Sequence, residues 1–304
     1  MPRIQPMSAL DWAALVLLSL MWGASFFFAG VALMEIPPFT LTFIRISVAA
    51  AMLIVILAAS GSFVRVDLRT IGGFFMMGFI NNVIPFNLLF WGQTHIASGL
   101  ASIFNATMPL FTVVVAHFVT HDEKMTPGRV AGLVLGFAGV VVMIGPELMR
   151  ELGTNVLAQV ACLVAAFFYA ISAIYARRFR ELPPLVLATG QLSASTLMLA
   201  PLVLIDRPWT LPMPSMRALW AALGIAVIST ALAYLVYYRI IAKNGATNVS
   251  LVTFLIPVSA ILLGVTFLKE TLTPNELIGF ALIGLGLAAI DGRPAARLQK
   301  AFVR

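Results

Sequence analysis

The chain has 304 residues, 61% of them hydrophobic and 10% charged, with a mean hydropathy of +1.01 and a formal net charge of +7. Soluble domains carry about 25% charged residues, so this composition excludes a water-soluble globule and describes an integral membrane protein. The basic residues form no continuous patch, which excludes nucleic acid as a partner, and the single Cys162 excludes an intrachain disulfide.

A helix that spans the bilayer needs about 20 apolar residues. Apolar windows fall in chain order at 10–32, 39–59, 70–91, 97–119, 127–145, 155–176, 184–204, 217–240, 246–268 and 275–291. The first exceeds the roughly 7–15 apolar residues of a signal peptide and reads as a span. Turn chemistry separates the windows at Ile36-Pro37-Pro38, Ser60-Gly61-Ser62, Pro183-Pro184, Asn244-Gly245 and Thr273-Pro274. Backbone groups in hydrocarbon must bond internally, so segments of this length are helices and not barrel strands. The expected fold is an all-α integral membrane protein with ten transmembrane helices, and the lipid bilayer is its first partner.

Lys and Arg on alternate sides set the orientation. An inward N-terminus places fourteen of them inside, from Arg3 to Arg304, and four outside: Arg150, Arg207, Arg217 and Lys269. Arg45 alone lies within a span. Both termini are therefore expected in the cytoplasm.

An internal repeat divides the chain. Glu35-Ile36-Pro37-Pro38 recurs as Glu181-Leu182-Pro183-Pro184, and Ser102 and Pro109 recur as Ser250 and Pro257. Glu123, Thr126, Pro127, Gly132, Gly139 and Gly145 recur as Glu270, Thr273, Pro274, Gly279, Gly286 and Gly292. The units are 1–146 and 147–304, with five spans each. An odd number turns the second copy upside down, giving a 5+5 inverted-topology repeat, an architecture of secondary transporters with the substrate site between the halves.

Trp22-Gly23-Ala24-Ser25-Phe26 resembles the opening motif of the drug/metabolite transporter superfamily. The spacing from Pro257 to Glu270 and Thr273-Pro274, followed by the glycines of a last helix, resembles it too. In the first copy His121-Asp122-Glu123-Lys124 departs from the usual turn. Over nearly the whole chain the sequence is similar to the EamA family, most of all to YddG-type exporters of amino acids and aromatic compounds. The resemblance implies export of small molecules across an inner membrane by alternating access.

Pro109 and Pro257 occupy equivalent places mid-span and are candidate hinges, the alternative being static kinks. Amides and hydroxyls concentrate in spans three, four and eight, where they should face the bundle interior. Of these, Asn82, Asn105 and Tyr234 are candidate substrate ligands, interhelical hydrogen bonding being the alternative. Among the aromatics, Trp22 and Phe168 align in the repeat and form a candidate pair lining an apolar cavity, and Phe86 is a further candidate substrate ligand. Trp12, Trp91 and Trp209 read as interfacial belt residues. Arg45 lies seven residues beyond Pro38, about 10 Å along a helix. Snorkelling to the outer surface is its favoured role; the alternatives are binding a substrate carboxylate and pairing with Gln191.

None of the twelve acids lies mid-span, so coupling through a buried carboxylate is not expected. His117 and His121 share the spacing of a one-face metal site, but a solvated pair is the expected reading, with no metal or cofactor. The glycine stripe Gly132, Gly136 and Gly139 should pack inside the bundle, in keeping with a monomer. None of the four lysines follows a glycine, which excludes a Walker A loop. The leading function is a secondary exporter of neutral or aromatic amino acids. The alternatives are a carrier for a nucleotide sugar or lipid, or a membrane-embedded lipid-modifying enzyme, although no catalytic residue is singled out.

Overall fold

A computed structural model describes residues 8–62, 64–120, 125–150, 154–244 and 252–291. Glu123, His121, Ser250 and Gly292, which the sequence singles out, lie outside the described residues.

The described residues are helical, with no strand among them. Helix α1 (Ala9–Ala32) starts with a capping box between Ser8 and Asp11, and α2 (Pro38–Ala59) follows a proline turn. Helix α3 (Leu68–Gln93) is N-capped by Asp67 and widens into a π turn over Phe79–Val83. Helix α4 (Ser98–Val119) is broken between Ser98–Asn105 and Met108–Val119, and α5 spans Pro127–Arg150. Helix α6 (Thr154–Tyr175) ends in a 3-10 turn, and α7 (Pro184–Leu199) bends by 41° into the short segment Val203–Thr210. Helix α8 comprises Met216–Ala226, a π turn over Val227–Leu232, and Ala233–Asn244. The last two are α9 (Val252–Leu263, extended by a π turn over Gly264–Leu268) and α10 (Pro274–Asp291).

By length and apolarity α1, α2, α3, α4, α6 and α8 can each cross a membrane, and α7 with its bent extension makes a seventh. The described parts of α5, α9 and α10 are apolar but shorter. Leu17, Val55, Leu157, Leu197 and Leu262 stand exposed along these helices. A soluble protein rarely leaves so many large apolar side chains in water, whereas hydrocarbon solvates them.

Packing joins the two halves of the chain repeatedly. Helix α1 lies against α8 and α9, α2 and the start of α3 against α7, the ends of α3 and α4 against α6, and α5 against α10. Small residues set these distances. A Cβ on Gly132 would meet the carbonyl of Gly286, and one on Gly139 the carbonyl of Gly279, so α5 and α10 touch backbone to backbone. The glycine stripe is thus an internal surface. Gly23 of the opening motif has the same use, leaving room for Ser259 of α9, whose hydroxyl reaches the Ser19 carbonyl at 2.9 Å.

Pro109 and Pro257 differ in setting. Pro109 opens the second half of α4 after the break at Ala106 and Thr107, where its missing N–H costs nothing. Pro257 sits inside a continuous helix.

Candidate functional site

Two of the three π turns among the described residues, Phe79–Val83 and Val227–Leu232, occupy matching places. Asn81 and Asn82 in α3 and Ser229 and Thr230 in α8 are 148 positions apart. A π turn adds a residue to the helical turn and shifts the side chains that follow, which is why it recurs at functional sites. Here both turns carry polar residues into the bundle. Asn82, Ser229 and Thr230 are buried, and the Thr230 hydroxyl donates to the Ile225 carbonyl five residues back.

Arg45 of α2 reaches the second of these turns. Its Nε donates to Thr230 Oγ1 and its Nη1 to Ser25 Oγ of α1, both at 3.1 Å. Its Cζ lies 3.8 Å from the centre of the Phe86 ring in α3, and Tyr169 and Tyr234 flank it. The residue is 7% exposed, so it does not snorkel to the outer surface. The expectation fails because Ser25, Thr230 and Phe86, from three other helices, offer the guanidinium a closer resting place. Gln191 is not its partner either: the amide oxygen of that buried side chain accepts no hydrogen bond. Both hydrogen bonds of the cation go to neutral hydroxyls, and no carboxylate meets it among the described residues.

A polar chain runs beside it. The Tyr234 hydroxyl is hydrogen-bonded to the Asn81 side chain. Asn81 Nδ2 donates to Asn82 Oδ1 at 3.2 Å, and Asn82 Nδ2 donates to Ser195 Oγ of α7 at 2.9 Å. Ser172 of α6 donates to Asn81 Oδ1 at 2.8 Å. Asn82 is fully enclosed with both ends of its amide bonded, so it holds Asn81 in place. Asn105, at the break in α4, keeps its buried amide oxygen without a partner.

Trp22 packs on Tyr237 at 5.5 Å, and Phe86 meets Tyr169 edge-on at 6.2 Å. Phe168 turns instead toward Phe167, and among the described residues no ring contact joins it to Trp22. Its neighbour Tyr169 takes the inward place, since one residue is a rotation of about 100° on a helix of 3.6 residues per turn. Tyr238's side chain lies outside the described residues. The structure therefore gathers Arg45, Phe86 and Tyr234 and adds Ser25, Tyr169 and Thr230. Sequence reading passes over Ser25, a hydroxyl within an apolar span, and the repeat register favours Phe168 over Tyr169.

The cluster is a cation held by neutral hydroxyl acceptors and aromatic faces between the two halves of the chain. It can bind an anionic group through the guanidinium and hold an apolar or aromatic body against the rings. His117, at the far end of α4, accepts the Met125 backbone N–H, away from this cluster.

The profile of the EamA-like transporter family matches residues 11–145 and 156–290. A Bacillus subtilis protein named as the uncharacterized transporter YoaV is 24% identical over 90% of this chain and 94% of its own length. An Escherichia coli protein named as a probable amino-acid metabolite efflux pump is 24% identical over 92% and 94%. A probable terminal-alkyne amino-acid exporter of Streptantibioticus cattleyicolor is 25% identical over 70% of this chain and 71% of its own. A solved crystal structure superposes with a TM-score of 0.66 over 93% of this chain and 98% of that one, at 21% identity, a likeness of fold.

Proposed function

The chain belongs to the EamA-like transporter family, and on that premise we propose that it is a secondary exporter of small metabolites working by alternating access. Relatives that share nine-tenths of its length are named transporters, and it is a multi-pass membrane transporter and not an enzyme. The substrates we assign are neutral or aromatic amino acids and related compounds. One observation carries that choice: Arg45 is a buried guanidinium that meets two hydroxyls and an aromatic face but, among the described residues, no carboxylate. A substrate carboxylate supplies the missing charge, and Phe86, Tyr169 and Tyr234 receive the side chain. Trp22 with Tyr237 and the orphaned amide of Asn105 extend the lining, Asn82 supports it from behind, and Pro109 and Pro257 serve as hinges. Two relatives are named for amino-acid compounds, which agrees with this reading.

The architecture we assign is ten spans in a 5+5 inverted repeat, 1–146 and 147–304, in a bacterial inner membrane with both termini cytoplasmic. The two separate matches to one family and the two π turns 148 positions apart support the repeat.

The test is counterflow in proteoliposomes preloaded separately with aromatic, aliphatic and charged amino acids, with and without a pH gradient. Labelled uptake driven by neutral or aromatic amino acids is expected. Correctly inserted protein that exchanges none of them would end the amino-acid reading. The gradient arm reports coupling to protons.

A further inference from the structure

Three carboxylates in the turns each close on the start of a helix from the other half of the chain. Glu35, after α1, accepts the Ser215 backbone N–H at 2.6 Å and its hydroxyl at 2.7 Å, at the head of α8. Asp206, after α7, accepts the Thr40 N–H at 2.7 Å and its hydroxyl at 2.9 Å, in the first turn of α2. Glu270, between α9 and α10, accepts the N–H groups of Ser98 and Gly99 at 2.8 and 3.0 Å, at the head of α4. Helix N-termini present free N–H groups and the positive end of the dipole, so an acid is favoured there.

The arrangement goes beyond ordinary capping. Each contact joins residues 166 to 180 positions apart, one from each half. Helix α8 has its own cap already, because the Ser215 hydroxyl accepts the Ala218 N–H. Glu35 and Asp206 are exchanged reciprocally: each turn lends its acid to the helix that the other turn begins. Gly30, near the end of α1, lies against both Leu268 and Ser98, which brings the third contact to the same end of the bundle. The opposite end is different. There the start of α3 and the turn after α6 leave a cavity of about 380 Å³ lined by Arg69, Tyr175, Arg178 and Glu181, among others.

We propose that Glu35, Asp206 and Glu270 form the outer gate of the transport cycle: their contacts hold the halves together at the outer face and release when that face opens. This rests on the alternating-access reading above. Acids at helix starts suit a gate because the bonds are strong when aligned, lie in turns where water can replace them once the halves part, and are broken together when one half tilts.

The experiment measures the distance between spin labels on cysteines replacing Met34 and Met213, two exposed residues in the facing turns, in a Cys162→Ala background. The parent protein should give one short distance. The Glu35→Ala/Asp206→Ala/Glu270→Ala variant should add a second, longer population. If that variant does not fold, Glu35→Gln/Asp206→Asn/Glu270→Gln keeps an acceptor oxygen but no charge and should show the same shift to a smaller extent. A lower melting temperature with an unchanged distance distribution would mean simple helix caps and would overturn the gate. No substrate is needed for this readout. Failed counterflow with a normal shift in distance would reject the amino-acid reading and keep the gate, and the converse would do the opposite.

Discussion

A guanidinium without a carboxylate is costly to bury: the effective penalty is several kcal/mol per ion. Arg45 recovers part of it from two hydroxyls and the Phe86 face, and that imbalance separates two roles. Were the arginine structural, its loss would weaken the fold. As a substrate ligand, it burdens the empty protein. Arg45→Met should therefore leave the melting temperature in detergent unchanged or raised while abolishing amino-acid counterflow. Arg45→Lys keeps the charge but loses the planar fork and the stacking. A lost charged hydrogen bond is worth about 1.5–3 kcal/mol, so its apparent KM should rise about 10- to 100-fold. A sharp drop in melting temperature for Arg45→Met would reverse the assignment. Glu35 makes a second prediction at this scale. The Ser215 backbone N–H, then the Ser215 hydroxyl, hold its carboxyl below the ordinary value of 4.5; desolvation opposes them, and Arg217 adds a lesser pull in the same sense. A carboxyl depressed by folding adds stability above its unfolded value, and that stability is lost as pH falls through the folded one. Below pH 4.5 the parent should lose melting temperature faster than Glu35→Gln; parallel profiles would show that the contact does not contribute.

Between helices, the glycines of α5 and α10 do different work at neighbouring positions. A Cβ on Gly286 would lie 2.5 Å from the Gly132 carbonyl and 2.7 Å from the Gly136 nitrogen, whereas Gly284 has open space around it. Gly286→Ala should cost about 1–3 kcal/mol through overpacking. Gly284→Ala should be neutral or gain up to about 1 kcal/mol from helix propensity. Thermal unfolding of the pair checks this, and equal effects would mean that the helices part easily. The helix positions and this glycine stripe were legible because bilayer thickness and turn chemistry leave little freedom: the windows at 39–59 and 275–291 became α2 and α10 almost residue for residue. The facing of the site was not. Helices apolar on every side carry little sign of which face turns inward, so the choice between Phe168 and Tyr169 falls to repeat register, and for Arg45 the sequence favours the surface while leaving a substrate carboxylate open. The π turns left no apolar periodicity to read, yet they place Thr230 against Arg45 and bring Asn81 to Tyr234.

At the scale of the whole molecule, the number of crossings can be argued from side chains, because a hydrogen bond between two turns requires both on one side of the bilayer. If only the six long helices crossed, Ser98 would follow three spans and Glu270 six, placing these bonded residues on opposite sides. If the bent α7 is added as a seventh, Glu35 follows one span and Ser215 six, and that bond is divided instead. Ten crossings put Glu35, Ser98, Ser215 and Glu270 after one, three, seven and nine spans, all on the outer side. The two counts part at positions 180 and 271, both exposed. From a cytoplasmic N-terminus, ten spans place Arg180 inside and Thr271 outside, whereas six reverse both. In intact cells, a membrane-impermeant maleimide should label Thr271→Cys and spare Arg180→Cys until the membrane is opened. With the N-terminus separately located in the cytoplasm, labelling of position 180 from outside would exclude the ten-span arrangement, and with it the inverted repeat on which the outer gate depends.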